Sequence, residues 1–391
     1  MQPAARVASA AEILDRILAG EPAEKALTTW ARGNRFAGSK DRAALRDLVF
    51  QALRCLRSYT ALGGADAPSG RALMIGALRA EGLDPATVFT GEGHAPAPLS
   101  TADASGSRVP QDGAQVCDLP DWLWPQFCAS LKDPQGEAAL MRQRADVFLR
   151  VNTRLASLQS AQAALAEGGI ETVPVALSPT ALKVTKGARQ LRLSAAFAAG
   201  FVELQDAASQ AVVDFLPLKG AERLLDYCAG GGGKSLALAA RTGLAVVAHD
   251  AAPERMKDIA ARAARAKAQI TVLTSAALAR QAPFDMVLCD APCSGSGAWR
   301  RAPEGKWRLT EARLQELGQI QRSILAEAQS RVAPGGRLAY VTCSLLRAEN
   351  EDICTEFEVN FPEWRREKEA RWLPSFGADG FFCAIFGRKT G

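Results

Sequence analysis

The sequence predicts an α/β protein whose C-terminal half is a doubly wound parallel sheet. Three observations carry this. From Arg223 onward, short apolar runs alternate with helical stretches, the order of successive β-α units. Four glycines, Gly230 to Gly233, separate the first of these strands from the first helix, where backbone N–H groups can approach a ligand. The stretch Phe284-Asp-Met-Val-Leu-Cys-Asp290-Ala-Pro-Cys293-Ser-Gly-Ser-Gly297 reads as a buried strand ending on an acid, with a thiol on the turn beyond it. An acid and a thiol at the carboxyl end of a buried strand lie where open α/β sheets keep their ligands.

The totals bound the rest. A chain of 391 residues predicts two or three domains. The 48% apolar and 23% charged fractions are those of a globular protein. A net charge of +5 is compatible with a polyanionic partner. No window resembles a membrane span, and the N-terminus lacks the layout of a secretion signal, so the expectation is a cytoplasmic protein. Nine cysteines with no CxxC pair argue against a disulfide framework or a zinc site. Two histidines, His94 and His249, leave little room for histidine chemistry.

In chain order, residues 1–90 read as helical. Asp41 to Leu56 puts Leu45, Leu48, Val49, Ala52 and Leu56 on one face, with Arg42, Arg46, Arg54 and Arg57 largely off it. Those arginines suit either a solvated surface or a phosphate-contacting one. Residues 91–114, rich in Gly, Ala, Pro and Ser, read as a flexible linker. Residues 115–204 read as a small α/β unit, with strands at Val147–Asn152, Glu171–Ala176, Leu182–Lys186 and Gly200–Gln205 and a helix at Ser157–Glu167.

Residues 205–391 carry the larger sheet. Strands are expected at 223–227, 245–250, 270–273, 284–290, 337–343 and 380–386, and helices at 234–241, 253–267, 310–332 and 348–360. Two strand ends deliver thiols, Cys293 after one and Cys343 in Thr342-Cys343-Ser344 after another. Cys55, Cys128, Cys289, Cys354 and Cys383 read instead as small buried hydrophobes.

The turn Asp226-Tyr-Cys228-Ala-Gly-Gly-Gly-Gly233-Lys234-Ser235 admits two readings. Gly233-Lys234-Ser235 fits the end of a P-loop, but Cys228 occupies the place of its first glycine. The other reading is a nucleoside-type cofactor site, with Asp250 after the second strand placed to take ribose hydroxyls.

Taken together, Asp-Ala-Pro-Cys-Ser-Gly-Ser-Gly, Thr-Cys-Ser and Asp-Tyr-Cys-Ala-Gly-Gly-Gly-Gly-Lys resemble the RsmB/NOP2/NSUN family of RNA cytosine-5 methyltransferases, in its bacterial ribosomal-RNA branch. The resemblance runs from about 118 to 387. Residues 47–54 are similar to a NusB-like helical domain. The family implies a class I S-adenosylmethionine methyltransferase (Rossmann-like) domain, preceded by a small α/β RNA-binding module and an all-helical NusB-like RNA-binding domain. It implies Cys343 as the nucleophile adding to carbon 6 of cytosine, and Cys293 as the thiol aiding proton loss and release. Residues alone leave that assignment reversible. Asp290 would hold the base edge and Lys234 would orient it.

The implied S-adenosyl-L-methionine contacts are Cys228, Ala229, Gly230, Gly231, Gly232, Gly233, Lys234, Asp250, Arg255, Ser275 and Asp290. The implied RNA contacts are Arg150, Asn152, Arg300 and Arg301. Two departures stand out. Gly230-Gly231 replace the family's usual Ala-Pro, and Thr274-Ser275 stand where an acid usually meets adenine. The expected partner is ribosomal RNA, 16S favoured over transfer RNA, read at a single-stranded or loop cytosine. A monomer with no metal and no membrane contact is expected. A P-loop nucleotide hydrolase and a non-catalytic RNA-binding factor are the competing readings.

Overall fold

The computed structural model describes residues 1–111 and 113–389, so Asp112 and residues 390–391, which the expected linker and catalytic segments include, lie outside the described residues. The chain divides into two compact units: Met1–Arg144 with Trp299–Arg308, and Ala145–Ala298 with Leu309–Gly391.

The first unit is helical, with α1 (Pro3–Leu18), α2 (Ala23–Gly33), α3 (Ser39–Arg54), α4 (Leu56–Leu62) and α5 (Gly70–Ala80). The apolar face predicted on α3 is the buried one: Leu45, Val49 and Ala52 pack in one core with Ile13 and Leu14 of α1 and Leu73 and Ile75 of α5. Arg42 and Arg46 are exposed, but Arg54 is buried and its Nε donates to the Arg300 carbonyl at 2.8 Å. The segment read as a linker is tied to α5 by Arg71, which donates to the carbonyls of Ala97 and Pro98 and pairs with Asp103 at 2.8 Å.

The distant segment Trp299–Arg308 completes this unit. It caps the end of α3, whose last carbonyls lack helical partners. Trp307 Nε1 donates to the Leu53 carbonyl at 2.6 Å and Lys306 Nζ to that of Arg54 at 3.2 Å. Lys306 is fully buried, and burial drives its ammonium down to about 8 against the pull of Asp118.

The second unit holds both sheets. Strands β1 (Val147–Val151), β2 (Glu171–Pro174), β3 (Ala181–Lys186) and β4 (Val202–Leu204) form an antiparallel sheet in the order β2-β3-β1-β4. Helix α6 (Leu158–Glu167) is N-capped by Ser157, whose Oγ accepts from Ser160 N. Helix α7 (Ala207–Phe215) follows β4.

Strands β5 (Leu224–Asp226), β6 (Val246–Ala248), β7 (Ile270–Val272), β8 (Phe284–Asp290), β9 (Val332–Thr342), β10 (Trp364–Trp372) and β11 (Phe381–Arg388) form the larger sheet, in the order β10-β11-β9-β8-β5-β6-β7. The expected parallel winding covers β5 to β9. It is corrected at one edge, where β11 runs antiparallel to β9 and β10 antiparallel to β11. Strand β10, Trp-Arg-Arg-Glu-Lys-Glu-Ala-Arg-Trp, escaped the periodicity search because it is an edge strand dense in charge, a composition that also blocks edge-to-edge pairing.

Helices α8 (Gly233–Thr242), α9 (Ile259–Ala266), α10 (Glu311–Ala328) and α11 (Glu351–Asn360) connect the strands. The single helix expected at 253–267 is two pieces, a tight turn at Pro253–Met256 and then α9, which ends on Lys267 in a left-handed conformation. Pro334-Gly-Gly336 loops out within β9 and shifts its register against β8 between Phe284 and Met286.

Candidate active site

The carboxyl ends of the parallel strands converge. Asp226 closes β5, Asp250 lies just past β6, Asp290 closes β8, and Cys343 follows β9. In an open α/β sheet this edge is the ligand crevice.

The glycine turn is shaped by left-handed backbone at Gly230 (φ +50°) and Gly232 (φ +80°), a conformation L side chains rarely adopt. Gly230 N donates to Asp250 Oδ2 at 2.9 Å. Asp250 is buried, also accepts from Ala252 N at 2.9 Å, and pairs with Arg255 at 3.0 Å. Cys228 is held as a thiol by burial. Cys228, Asp250 and Arg255 border a cavity of about 710 Å³, lined also by Tyr227, His249, Ser275 and Pro292. That volume falls inside the range of about 300–1,000 Å³ typical of small-molecule sites. A buried acid and an apolar wall, with the glycine turn held on that acid, fit a nucleoside cofactor.

The sequence reading set His249 aside, yet it lines this cavity. Its Nδ1 lies 2.9 Å from the Tyr227 carbonyl and its Nε2 3.0 Å from Ser275 Oγ. A ring nitrogen facing a carbonyl must carry the proton, so in the neutral ring Nε2 accepts from the Ser275 hydroxyl. The Ser275 oxygen is then left as an acceptor.

Lys234, the second residue of α8, is buried and pairs with Asp290 at 2.7 Å. Its ammonium also sits 4.8 Å from the Phe381 ring centre. Burial pulls the Lys234 pKa down, but the Asp290 charge and hydrogen bond outweigh it and the net shift is upward. A P-loop lysine has to face phosphates, and this one is committed to a carboxylate.

The two thiols meet. Cys293 Sγ and Cys343 Sγ are 3.5 Å apart, both half-buried. The Cys293 pKa is pushed well above that of an ordinary thiol, first by its hydrogen bond to Cys343, then by burial, then by the Cys343 charge. Cys293 is therefore the thiol of the pair held protonated. Gly297 closes the loop: its N–H donates to the Cys343 carbonyl at 2.9 Å, and a Cβ there would lie 2.2 Å from the Gly380 oxygen. Of the cysteines read as hydrophobes, Cys55, Cys289, Cys354 and Cys383 are buried, and Cys128 only partly so.

Asp226 is fully buried. Its Oδ2 accepts from Ser235 Oγ at 2.6 Å, and its Oδ1 has no hydrogen-bond partner among the described residues. Burial raises its pKa from 3.8 to about 7, with the Ser235 hydrogen bond opposing. Between those values the folded protein keeps a proton that the unfolded chain has released, so stability falls as pH rises through this window. Asp226→Asn mimics the protonated form. Urea unfolding from pH 5 to 8 is expected to show wild type losing stability relative to Asp226→Asn, by on the order of a few kcal/mol at the upper end. Parallel pH profiles for the two would refute the proton assignment.

The expected RNA contacts fare differently. Arg150 and Asn152 are buried: Arg150 Nε donates to Gln205 Oε1 at 2.7 Å, and Asn152 Nδ2 to the Ala266 carbonyl at 2.9 Å. Burial lowers the Arg150 pKa to about 10. Both lie on or beside β1, a central strand, where they brace the interior. Arg300 is likewise buried, within the helical unit, and Arg301 is exposed. Glu349, which the sequence reading did not single out, is fully buried between the two thiol loops. Its one signal was an acid five residues after Ser344.

A family model described as 16S rRNA methyltransferase RsmB/F matches residues 213–386, and one for an RsmF/B-like ferredoxin-like domain matches residues 119–189. Ribosomal RNA small subunit methyltransferase B of Xylella fastidiosa is 32% identical over 386 residues, covering 88% of this chain and 89% of that protein. The chain belongs to the RsmB/F family of rRNA methyltransferases. Its RsmB/F match includes Lys234, Asp290, Cys293 and Cys343. The protein of the same name from Vibrio cholerae is 33% identical over 284 residues, covering 69% of this chain and 65% of the relative. Among solved structures, PH0851 superposes with a TM-score of 0.77 at 24% identity over 99% of both chains. NSun6 from Pyrococcus horikoshii, solved with SFG, gives 0.60 at 17% identity over 70% of this chain and 99% of that one. At these identities the structural matches establish the fold, a Rossmann-like methyltransferase. RsmB/F proteins are S-adenosylmethionine-dependent, and no helix of the described residues is long and apolar enough to cross a membrane.

Proposed function

We propose that this RsmB/F protein methylates carbon 5 of a cytosine in 16S ribosomal RNA, with Cys343 as nucleophile and Cys293 as the releasing thiol. The observation that supports the reading is the thiol pair, 3.5 Å apart, with Cys293 the member held protonated.

Carbon 5 of cytosine is a weak nucleophile. Addition of the Cys343 thiolate to carbon 6 breaks the C5–C6 double bond and leaves an enamine across carbons 4 and 5 that can take a methyl group at carbon 5. When bound, S-adenosylmethionine supplies an electrophilic methyl group. Cys228, Asp250, Arg255 and Ser275 border the cavity that would hold it, and the glycine turn is tied to it through the Gly230 N–H on Asp250. Asp290, as a carboxylate, accepts from the cytosine N4 amino group and is repelled by the O4 of uracil. Lys234 fixes the orientation of that carboxylate.

Once the Cys343 sulfur is taken up in the C–S bond, its hydrogen bond to Cys293, the first cause keeping Cys293 protonated, is gone. Cys293 gives its proton to solvent and takes the one on carbon 5. The electron pair left behind re-forms the C5–C6 double bond and expels Cys343 as a thiolate. The target base has to leave its stack, at about a few kcal/mol, which favours a loop.

Methyl incorporation into 16S and transfer RNA transcripts, with bisulfite sequencing of RNA from cells lacking the protein, tests the reading. The expected result is loss of one 5-methylcytosine in 16S RNA. Loss confined to transfer RNA would replace the substrate, and loss of a methyl group elsewhere on a base would replace the chemistry.

A further inference from the structure

Glu349 is fully buried, and among the described residues no Lys or Arg pairs with it. Its charge is met by neutral donors. Oε1 accepts from Ser294 N at 2.8 Å and Gln321 Nε2 at 3.1 Å. Oε2 accepts from Ser294 Oγ and Ser344 Oγ, each at 2.5 Å. Ser294 follows Cys293 and Ser344 follows Cys343, so one carboxylate grips the residue beside each thiol. Gln321 extends the grip, since its Nε2 also reaches the Pro292 carbonyl at 2.9 Å. A buried carboxylate with no cation is costly to desolvate, whereas a neutral side chain could close a turn without that cost. Short charge-assisted hydrogen bonds confer what neutral ones do not, a narrow geometry.

We propose that Glu349 is a positioning residue that sets the spacing of the Cys293 and Cys343 sulfurs by clasping both loops through Ser294 and Ser344. The inference rests on the proposed two-thiol chemistry for its functional meaning, but the spacing itself can be read without RNA or cofactor.

Gln at 349 cannot replace the carboxylate. Ser344 Oγ already accepts from Leu346 N at 3.0 Å and contacts Ser296 Oγ at 3.0 Å. It has no lone pair to spare for an amide N–H. Turning the amide over would aim its NH₂ at Ser294 N, another donor. Either way one loop is released while the volume stays the same.

The test oxidises the free full-length protein with diamide, which joins two thiols as a disulfide while its N=N bond takes up both hydrogens. Peptide mapping by mass spectrometry follows the Cys293–Cys343 link, with Cys293→Ala as the blank. Wild type is expected to form the link at least tenfold faster than Glu349→Gln. In RNA assays Glu349→Gln, with Cys293 intact, is expected to accumulate the covalent RNA adduct and lower kcat with little change in KM. A merely structural residue would lower the melting temperature without trapping adduct. If Glu349→Gln does not fold, Ser344→Ala takes its place, since it removes the carboxylate's hold on the Cys343 side along with that hydroxyl's Leu346 and Ser296 contacts, and the same slowing is expected. Link formation at the wild-type rate in whichever variant folds overturns the clasp. A slowed link in a protein that methylates no cytosine keeps the clasp and overturns the proposed function instead.

Discussion

Cys343→Ala is expected to abolish methyl transfer, by at least about 10³-fold, because the covalent route through carbon 6 disappears with the thiol. Cys293→Ala is expected to do something different: methylate once and stay attached to the RNA. The geometry explains the asymmetry. With the sulfurs 3.5 Å apart, only one thiol can be charged at a time, and Cys293 is the one whose proton is held back. Removing it leaves attack intact and takes away the acceptor for the carbon-5 proton. A denaturing gel with labelled RNA reads both outcomes. An adduct from Cys343→Ala, with none from Cys293→Ala, would reverse the two roles.

The second large effect is expected at Lys234. Its ammonium is the sole cation paired with Asp290 among the described residues, at 2.7 Å. Lys234→Met keeps the apolar length of the side chain against Phe381 and removes the charge. Asp290 then has no partner and is free to turn from the base. The expected loss in kcat is about 100-fold, with a cost to stability of about 2 kcal/mol, less than for a fully buried pair because water reaches Asp290. Lys234→Met combined with Asp290→Asn is expected to recover stability but not activity. Because the Lys234 pKa is raised, its contribution is intact throughout the neutral range and fades only as pH climbs past the usual lysine value. A kcat near wild type in Lys234→Met, measured at pH 7.5, would remove Lys234 from the site.

What could be read in the sequence was whatever repeats or punctuates. The apolar face of α3, the limits of β8 from Phe284 to Asp290, and the glycine turn before α8 all follow from local pattern. The convergence of Lys234, Asp290, Cys293 and Cys343 came from motif resemblance, since no periodicity brings residues so far apart together. What escaped has physical reasons. Strand β10 is polar because it lies at an edge. Arg150 and Asn152 look like surface basic and polar residues, and only the sheet order shows that β1 is interior. Glu349 and His249 act through hydrogen bonds to atoms remote in sequence, a kind of information absent from composition and spacing.

The segment Trp299–Arg308 has a consequence for synthesis. The helical unit stands first in the chain, yet its α3 end is capped by Lys306 and Trp307, roughly 160 residues past Arg144. At a ribosomal rate of about 5–20 residues per second, the cap emerges on the order of 10–30 s after the helices it completes. Throughout that interval the nascent helices present an unfinished face. The unit made first is thus among the last to close, and it closes only when the chain has delivered the loop of Cys293.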